Sequence, residues 1–150
     1  MAQSFVQNLQ HIIFSTKNRN KWIDESWEDK LYAYIGGILR GIGCSMKAAG
    51  GASDHIHILT AVNKNVLITD LIRKIKSSST NWIKRTVPHR GEFSWQQGYA
   101  AFSVSQSQFG KVEDYIRNQR KHHRRIEYKD ELRKMLEKHG IEYDEKYLWL

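Results

Sequence analysis

The stretch His55-Ile56-His57-Ile58-Leu59-Thr60-Ala61 alternates with a period of two, the pattern of a β-strand with two different faces. In a strand, residues i and i+2 project to the same side. His55 and His57 therefore stand side by side, while Ile56 points into the opposite layer. A short turn at Ser53-Asp54 precedes this strand, and Cys44 to Ala52 before it reads as another strand ending in small residues. Further upstream, Trp27, Leu31, Tyr34, Ile35, Ile38 and Ile42 recur at helical spacing from about Ser26, and Gly41 and Gly43 stop that helix. His11 to Thr16 reads as the first strand, joined to it by the polar connection Lys17 to Asp24.

Downstream, Leu67, Leu71, Ile72, Ile75, Trp82 and Ile83 form the apolar stripe of a helix over about Val66 to Arg85. A loop with the lone Pro88 leads to a fourth strand over Tyr99 to Gln106. Two more helices are expected, from about Gln108 to Arg125 and from about Lys129 to His139. The order β-α-β-β-α-β with appended helices is that of a ferredoxin-like α+β fold, an antiparallel sheet with helices on one face. No repeat and no linker-like stretch interrupts it, so residues 1–150 read as one domain.

The charge is lopsided, with 24 Lys and Arg against 16 Asp and Glu and a formal net charge of +8. An excess of this sign favours a polyanionic partner, because each phosphate neutralised releases counterions. Cys44 is the single cysteine, so no internal disulfide can form, which fits a reducing compartment. Its apolar setting reads as that of a buried small residue. The first residues show no basic segment followed by an apolar run, and no apolar run is long enough to span a bilayer. The expectation is a cytoplasmic protein without a membrane partner.

Two imidazoles on one strand face begin a divalent metal site but do not complete one. Tyr115-Ile116-Arg117-Asn118-Gln119 offers a third ligand, since Tyr115 and Gln119 are four apart and share a helical face. Gln119 can present a carbonyl oxygen to a hard cation. Tyr115 would then sit one turn away, where a phosphate on the metal could meet its hydroxyl. Attack by a phenolic oxygen on a DNA phosphodiester makes a phosphotyrosine linkage, keeps the bond energy and allows resealing without ATP. The residues alone leave Tyr115 open as an ordinary tyrosine of an amphipathic helix.

Between 64 and 90 the chain carries Lys64, Arg73, Lys74, Lys76, Lys84, Arg85 and Arg90 against Asp70 alone. Ser78 lies in a Ser77-Ser78-Ser79-Thr80-Asn81 run of short polar donors. Arg73, Lys74, Lys76, Ser78, Lys84 and Arg85 are the candidate phosphate contacts. Trp82, Trp95 and Tyr99 could stack on unpaired bases, although Trp82 also fits the core stripe. A second basic run, Arg117 to Arg125, reads equally as a solvated helix end. Within it His122 and His123 diverge by about 100° as helical neighbours and do not suit chelation of one ion as a pair.

Taken together, these motifs resemble the small single-tyrosine transposases of bacterial and archaeal insertion sequences, in the HUH (His-hydrophobe-His) superfamily. The resemblance rests on His11-Ile12-Ile13-Phe14-Ser15-Thr16-Lys17, Asp54-His55-Ile56-His57, Trp95-Gln96-Gln97-Gly98-Tyr99 with Phe102-Ser103-Val104-Ser105, Tyr115-Ile116-Arg117-Asn118-Gln119 with His122-His123, and the C-terminal Gly140 to Trp149. It implies cleavage and rejoining of single-stranded DNA bearing hairpins, through a 5′-phosphotyrosine on Tyr115. It implies Mg²⁺ or Mn²⁺ held by His55, His57 and Gln119, although histidine pairs favour softer ions than Mg²⁺. It further implies an obligate homodimer whose composite sites join the histidines of one subunit to the tyrosine helix of the other. Gly110, read as lying between the fourth strand and the tyrosine helix, is the candidate hinge, with a simple cap or loop glycine as the other reading. Two alternatives stay open: a domesticated relative processing repeated extragenic palindromes, and a non-catalytic hairpin-binding regulator.

Overall fold

A computed structural model describes residues 2–150. In chain order its elements are β1 (Leu9–Ser15), α1 (Glu25–Gly41), β2 (Ser45–Ala52), β3 (His55–Ala61), α2 (Ile68–Thr86), β4 (Ala100–Val104), α3 (Phe109–Arg117), α4 (Gln119–His122), α5 (Tyr128–Lys138) and α6 (Glu145–Leu148). The four strands form one sheet in the order β2-β3-β1-β4, with every neighbouring pair antiparallel. This is the expected ferredoxin-like arrangement. Asp24 caps α1 by accepting from the Ser26 backbone N–H at 2.8 Å. Gly43, at φ +76°, turns the chain out of that helix into β2.

The sheet is covered on both faces, not on one. Ile12, Phe14, Ile56 and Ile58 pack under Leu31, Ile35 and Leu39 of α1 and Leu71, Ile72, Ile75 and Ile83 of α2. On the opposite face Ile13 and Phe102 pack against Tyr128, Leu132 and Leu136 of α5, and Ala48 and Leu59 against Ile116 of α3. The physical reason lies in β1 and β3, which carry apolar residues on both sides. Helices on one face only would leave Ile13, Leu59 and Phe102 in water. The C-terminal helices are thus the second layer of the domain, and they lie on the histidine face.

The tyrosine helix is also shorter than its periodicity predicts. The backbone breaks at Asn118, which separates α3 from α4, and the Asn118 amide donates to the Asp114 carbonyl at 2.8 Å. Trp82 belongs to the core, stacked on Tyr34 with centroids 5.5 Å apart. Trp95 is buried, and its indole N–H donates to Ser79 Oγ at 2.9 Å. Of the three aromatic residues considered for base stacking, Tyr99 is the exposed one.

Candidate active site and metal centre

His55 and His57 sit fully buried on the face of β3 that α3 and α5 cover. The Nδ1 of His55 lies 2.7 Å from Asp54 Oδ1. A carboxylate only accepts, so Nδ1 donates to it and Nε2 points inward. That nitrogen lies 3.1 Å from Gln119 Oε1 and 3.5 Å from Glu131 Oε1. His57 Nδ1 lies 2.7 Å from His11 Nε2, and its Nε2 lies 3.1 Å from Glu131 Oε1. His123 Nε2 is 3.0 Å from the same oxygen. The Tyr115 hydroxyl donates to the other oxygen of Glu131.

One donor atom each from His55, His57, His123 and Glu131 fall within 4.8 Å of one another. His55 Nε2 points at two acceptor oxygens in a buried pocket, an arrangement that a proton on that nitrogen or a cation between them satisfies. Imidazole nitrogens and a carboxylate gathered in this way are a donor set that suits a divalent metal.

The electrostatics follow from burial. His57 is driven down to about 4 by desolvation, against the opposing pull of Glu131. Burial acts against charge on Glu131 too, but hydrogen bonds from His123 and His57 and the imidazole charges hold its carboxyl well below the usual carboxylate range. Burial and the adjacent Glu131 carboxylate raise the Tyr115 phenol, so its hydroxyl stays protonated in this arrangement.

One close backbone approach seats the tyrosine helix. Gly50 pairs with His57 across the β2–β3 ladder, and a Cβ there would lie 2.1 Å from the Ile116 carbonyl oxygen. Only a glycine lets α3 rest so near β2. Gln119 is buried at the end of this contact, its amide donating to the Tyr115 carbonyl at 3.3 Å. The chain brings Tyr115, Gln119, His55 and His57 together from its own residues.

The other anticipated residues lie elsewhere. Arg73, Lys74, Lys76, Ser78, Lys84 and Arg85 are all on α2, across the sheet from the histidines. Lys76 is committed structurally, its ammonium donating to the carbonyls of Gln96, Gln97 and Gly98 at 2.7–3.1 Å. Burial lowers it to about 8. Arg73 pairs with Asp70 at 2.9 Å on the exposed surface, and Lys74, Lys84 and Arg85 are exposed. Gly110 lies inside the first turn of α3 and not between β4 and the helix, because Gln106–Gln108 form a separate 3-10 turn there.

Two cavities flank the cluster. One of about 430 Å³, beside Asp54 and His123, is lined by Arg19, Lys21, Arg124 and Lys129. The other, of about 770 Å³, opens on Tyr115 and Glu131 and is lined by Phe102, Lys111, Lys134 and Lys138. Basic side chains thus meet the reactive face, and of them Arg120 and Arg124 belong to the run 117–125 that also read as a solvated helix end.

Glu131, His123, Asp54 and His11 were not assigned roles from the sequence. Glu131 did leave a signal. Tyr128, Leu132 and Leu136 form the buried stripe of α5, and Glu131, three after Tyr128, shares that face. A carboxylate on an apolar stripe calls for a partner.

The family model of IS200-like transposases matches residues 4–119 of the chain. No curated protein sequence matches it. Among solved structures, a candidate transposase from Deinococcus radiodurans R1 is similar, with a TM-score of 0.64 and 23% identity over 79% of this chain and 96% of that one. A REP-associated tyrosine transposase bound to a REP hairpin is similar with a TM-score of 0.57 and 14% identity, over 77% of this chain and 68% of that one. At these identities the two structures speak for the fold.

Proposed function

Since the chain belongs to the family of IS200-like transposases, we propose that it cleaves and rejoins single-stranded DNA with Tyr115 as nucleophile and His55, His57 and Gln119 as ligands of a divalent cation. The observation that carries this reading is the Tyr115 hydroxyl at the rim of a buried metal-ligand cluster, opening on a cavity with lysines at its edge. In the proposed step the Tyr115 hydroxyl gives up its proton to the Glu131 side as its oxygen attacks phosphorus, the bond to the 3′ oxygen breaks, and that oxygen takes up a proton and leaves as a 3′ hydroxyl. A 5′-phosphotyrosine remains, and attack on it by another 3′ hydroxyl reverses the step. The cation, Mg²⁺ or Mn²⁺ on the resemblance, would polarise the phosphate and offset the charge of Glu131.

The chain's own residues do the rest. Asp54 fixes the tautomer of His55, Glu131 orients the Tyr115 O–H, and α5 with Tyr128 and Leu132 shuts the histidine face from water. Lys111, Lys134 and Lys138 would hold the strand near Tyr115. The exposed Arg73, Lys74, Lys84 and Arg85, with Ser78, would grip a hairpin stem on the far face. A homodimer would join through β4, which pairs with β1 on one side only. A domesticated enzyme acting on repeated palindromes is the second reading, favoured by the likeness to a fold solved on a REP hairpin.

The test is incubation with labelled single-stranded DNA containing a hairpin and an unpaired flank, in Mg²⁺ or Mn²⁺. Wild type should give a covalent adduct on a denaturing gel. Tyr115→Phe should give none while binding the hairpin within a few-fold of wild type. An adduct on the Phe variant would assign the nucleophile to another residue, and a wild type that binds the hairpin but never reacts would leave a regulator.

A further inference from the structure

We propose that Glu131 and His123 are ligands of the same cation, making a site of three imidazoles, one carboxylate and the Gln119 oxygen that prefers Mn²⁺, Co²⁺ or Zn²⁺ to Mg²⁺. The inference rests on the reading of His55 and His57 as metal ligands and extends it to residues beyond the segment shared with the family, which ends at 119.

Glu131 is 2% exposed, and the groups within 4 Å of its carboxylate are His55, His57, His122, His123 and the Tyr115 hydroxyl. Among the described residues no lysine or arginine comes within 4 Å of its oxygens, the lysines of the adjoining cavity standing further off. A buried carboxylate ringed by imidazoles has compensating charge only while those rings are protonated. A metal ion supplies that charge and uses the same nitrogens. The two oxygens also divide their work. Oε1 faces the nitrogens of His57 and His123 at 3.1 and 3.0 Å, while Oε2 receives Tyr115. Glu131 thus ties the position of the tyrosine to the occupancy of the metal site.

The donor chemistry sets the preference. Mg²⁺ demands octahedral oxygen ligation and keeps its waters, whereas imidazole suits later first-row ions. A set dominated by nitrogen ranks Zn²⁺ and Co²⁺ above Mn²⁺, and all three above Mg²⁺. The path of the chain explains why α5 can contribute. His123 caps the C-terminus of α4, and α5 then returns across the sheet with Tyr128 stacked on His55 at 4.5 Å between centroids. That stacking holds Glu131, one turn later, over β3.

The experiment uses the full chain, stripped with chelator and dialysed. Co²⁺ is titrated by visible absorption, and Zn²⁺, Mn²⁺ and Mg²⁺ by calorimetry, on wild type, Glu131→Gln, His123→Gln and His57→Ala. Glu131→Gln and His123→Gln should each weaken Co²⁺ at least about tenfold and shift its absorption bands. Glu131→Asp serves as the second carboxylate variant if Gln lowers the apo melting temperature, and it should bind more tightly than Gln. Wild-type affinity and spectrum in both the Glu131 and His123 variants, with binding lost only in His57→Ala, would overturn the extension and leave the His55–His57 site standing. Tighter binding of Mg²⁺ than of Co²⁺ by wild type would overturn the preference. No binding of any ion by wild type would remove both readings.

Discussion

Substituting Gly50 by alanine tests whether the tyrosine helix works from its seat on β2. The added Cβ would lie 2.1 Å from the Ile116 carbonyl oxygen and 3.0 Å from its carbon, and the obstacle is backbone. Restoring ordinary contact requires α3 to retreat by about 1 Å, a small-to-large change of the kind that costs about 2 kcal/mol in a packed core. For a domain of this size that lowers the melting temperature by about 4–8 °C. The same retreat takes Gln119 Oε1, now 3.1 Å from His55 Nε2, out of the cluster and swings Tyr115 off Glu131. Misplacing a reacting group by about 1 Å costs on the order of a hundredfold in rate. Adduct formation should therefore fall far more than the modest loss of stability explains, when followed with labelled single-stranded DNA at a temperature where the variant stays folded. Gly110→Ala is the control, because nothing lies within 4 Å of a Cβ there, and its melting temperature should not fall. A Gly50→Ala protein with wild-type melting and wild-type adduct rate would refute the docking of α3 on β2 as the reactive arrangement.

Acid should loosen the metal-free fold. His57 is held down to about 4 in the folded chain against an ordinary value near 6.5, so the unfolded chain binds the extra proton first as pH falls. Stability from this group is full above about 6.5, declines as pH drops towards about 4 and by then is reduced by roughly 3 kcal/mol, a decline that His57→Gln should flatten in melting curves across that window. The assembly of the site from one chain predicts that mixing Tyr115→Phe with His57→Ala proteins recovers no cleavage. Recovery to about a quarter of wild-type activity, the share expected of randomly exchanged two-fold dimers, would show instead that the tyrosine helices swap between subunits.

Much of the architecture is legible in local pattern. Period two over His55–Ala61, helical spacing from Trp27 to Ile42, and glycines at 41 and 43 each report the backbone at their own positions, so the strand and helix order can be read directly. The placement of His55 and His57 on one strand face, and of Tyr115 and Gln119 on one helical face, is likewise a property of short segments. The sequence pattern does not say which sheet face a later helix will cover. That choice depends on the summed burial of Ile13, Leu59 and Phe102, residues far apart in the chain, and it put α3 and α5 on the histidine side. Glu131 becomes a hub through this packing, because the contact joins positions 55, 57, 123 and 131 from three elements and no spacing rule links them. The same holds for Lys76, a basic residue by sequence that the fold spends on three carbonyls of the segment before β4. Local periodicity is set by backbone geometry and survives in one dimension, whereas the meeting of buried charges is decided only when distant apolar surfaces have chosen their partners.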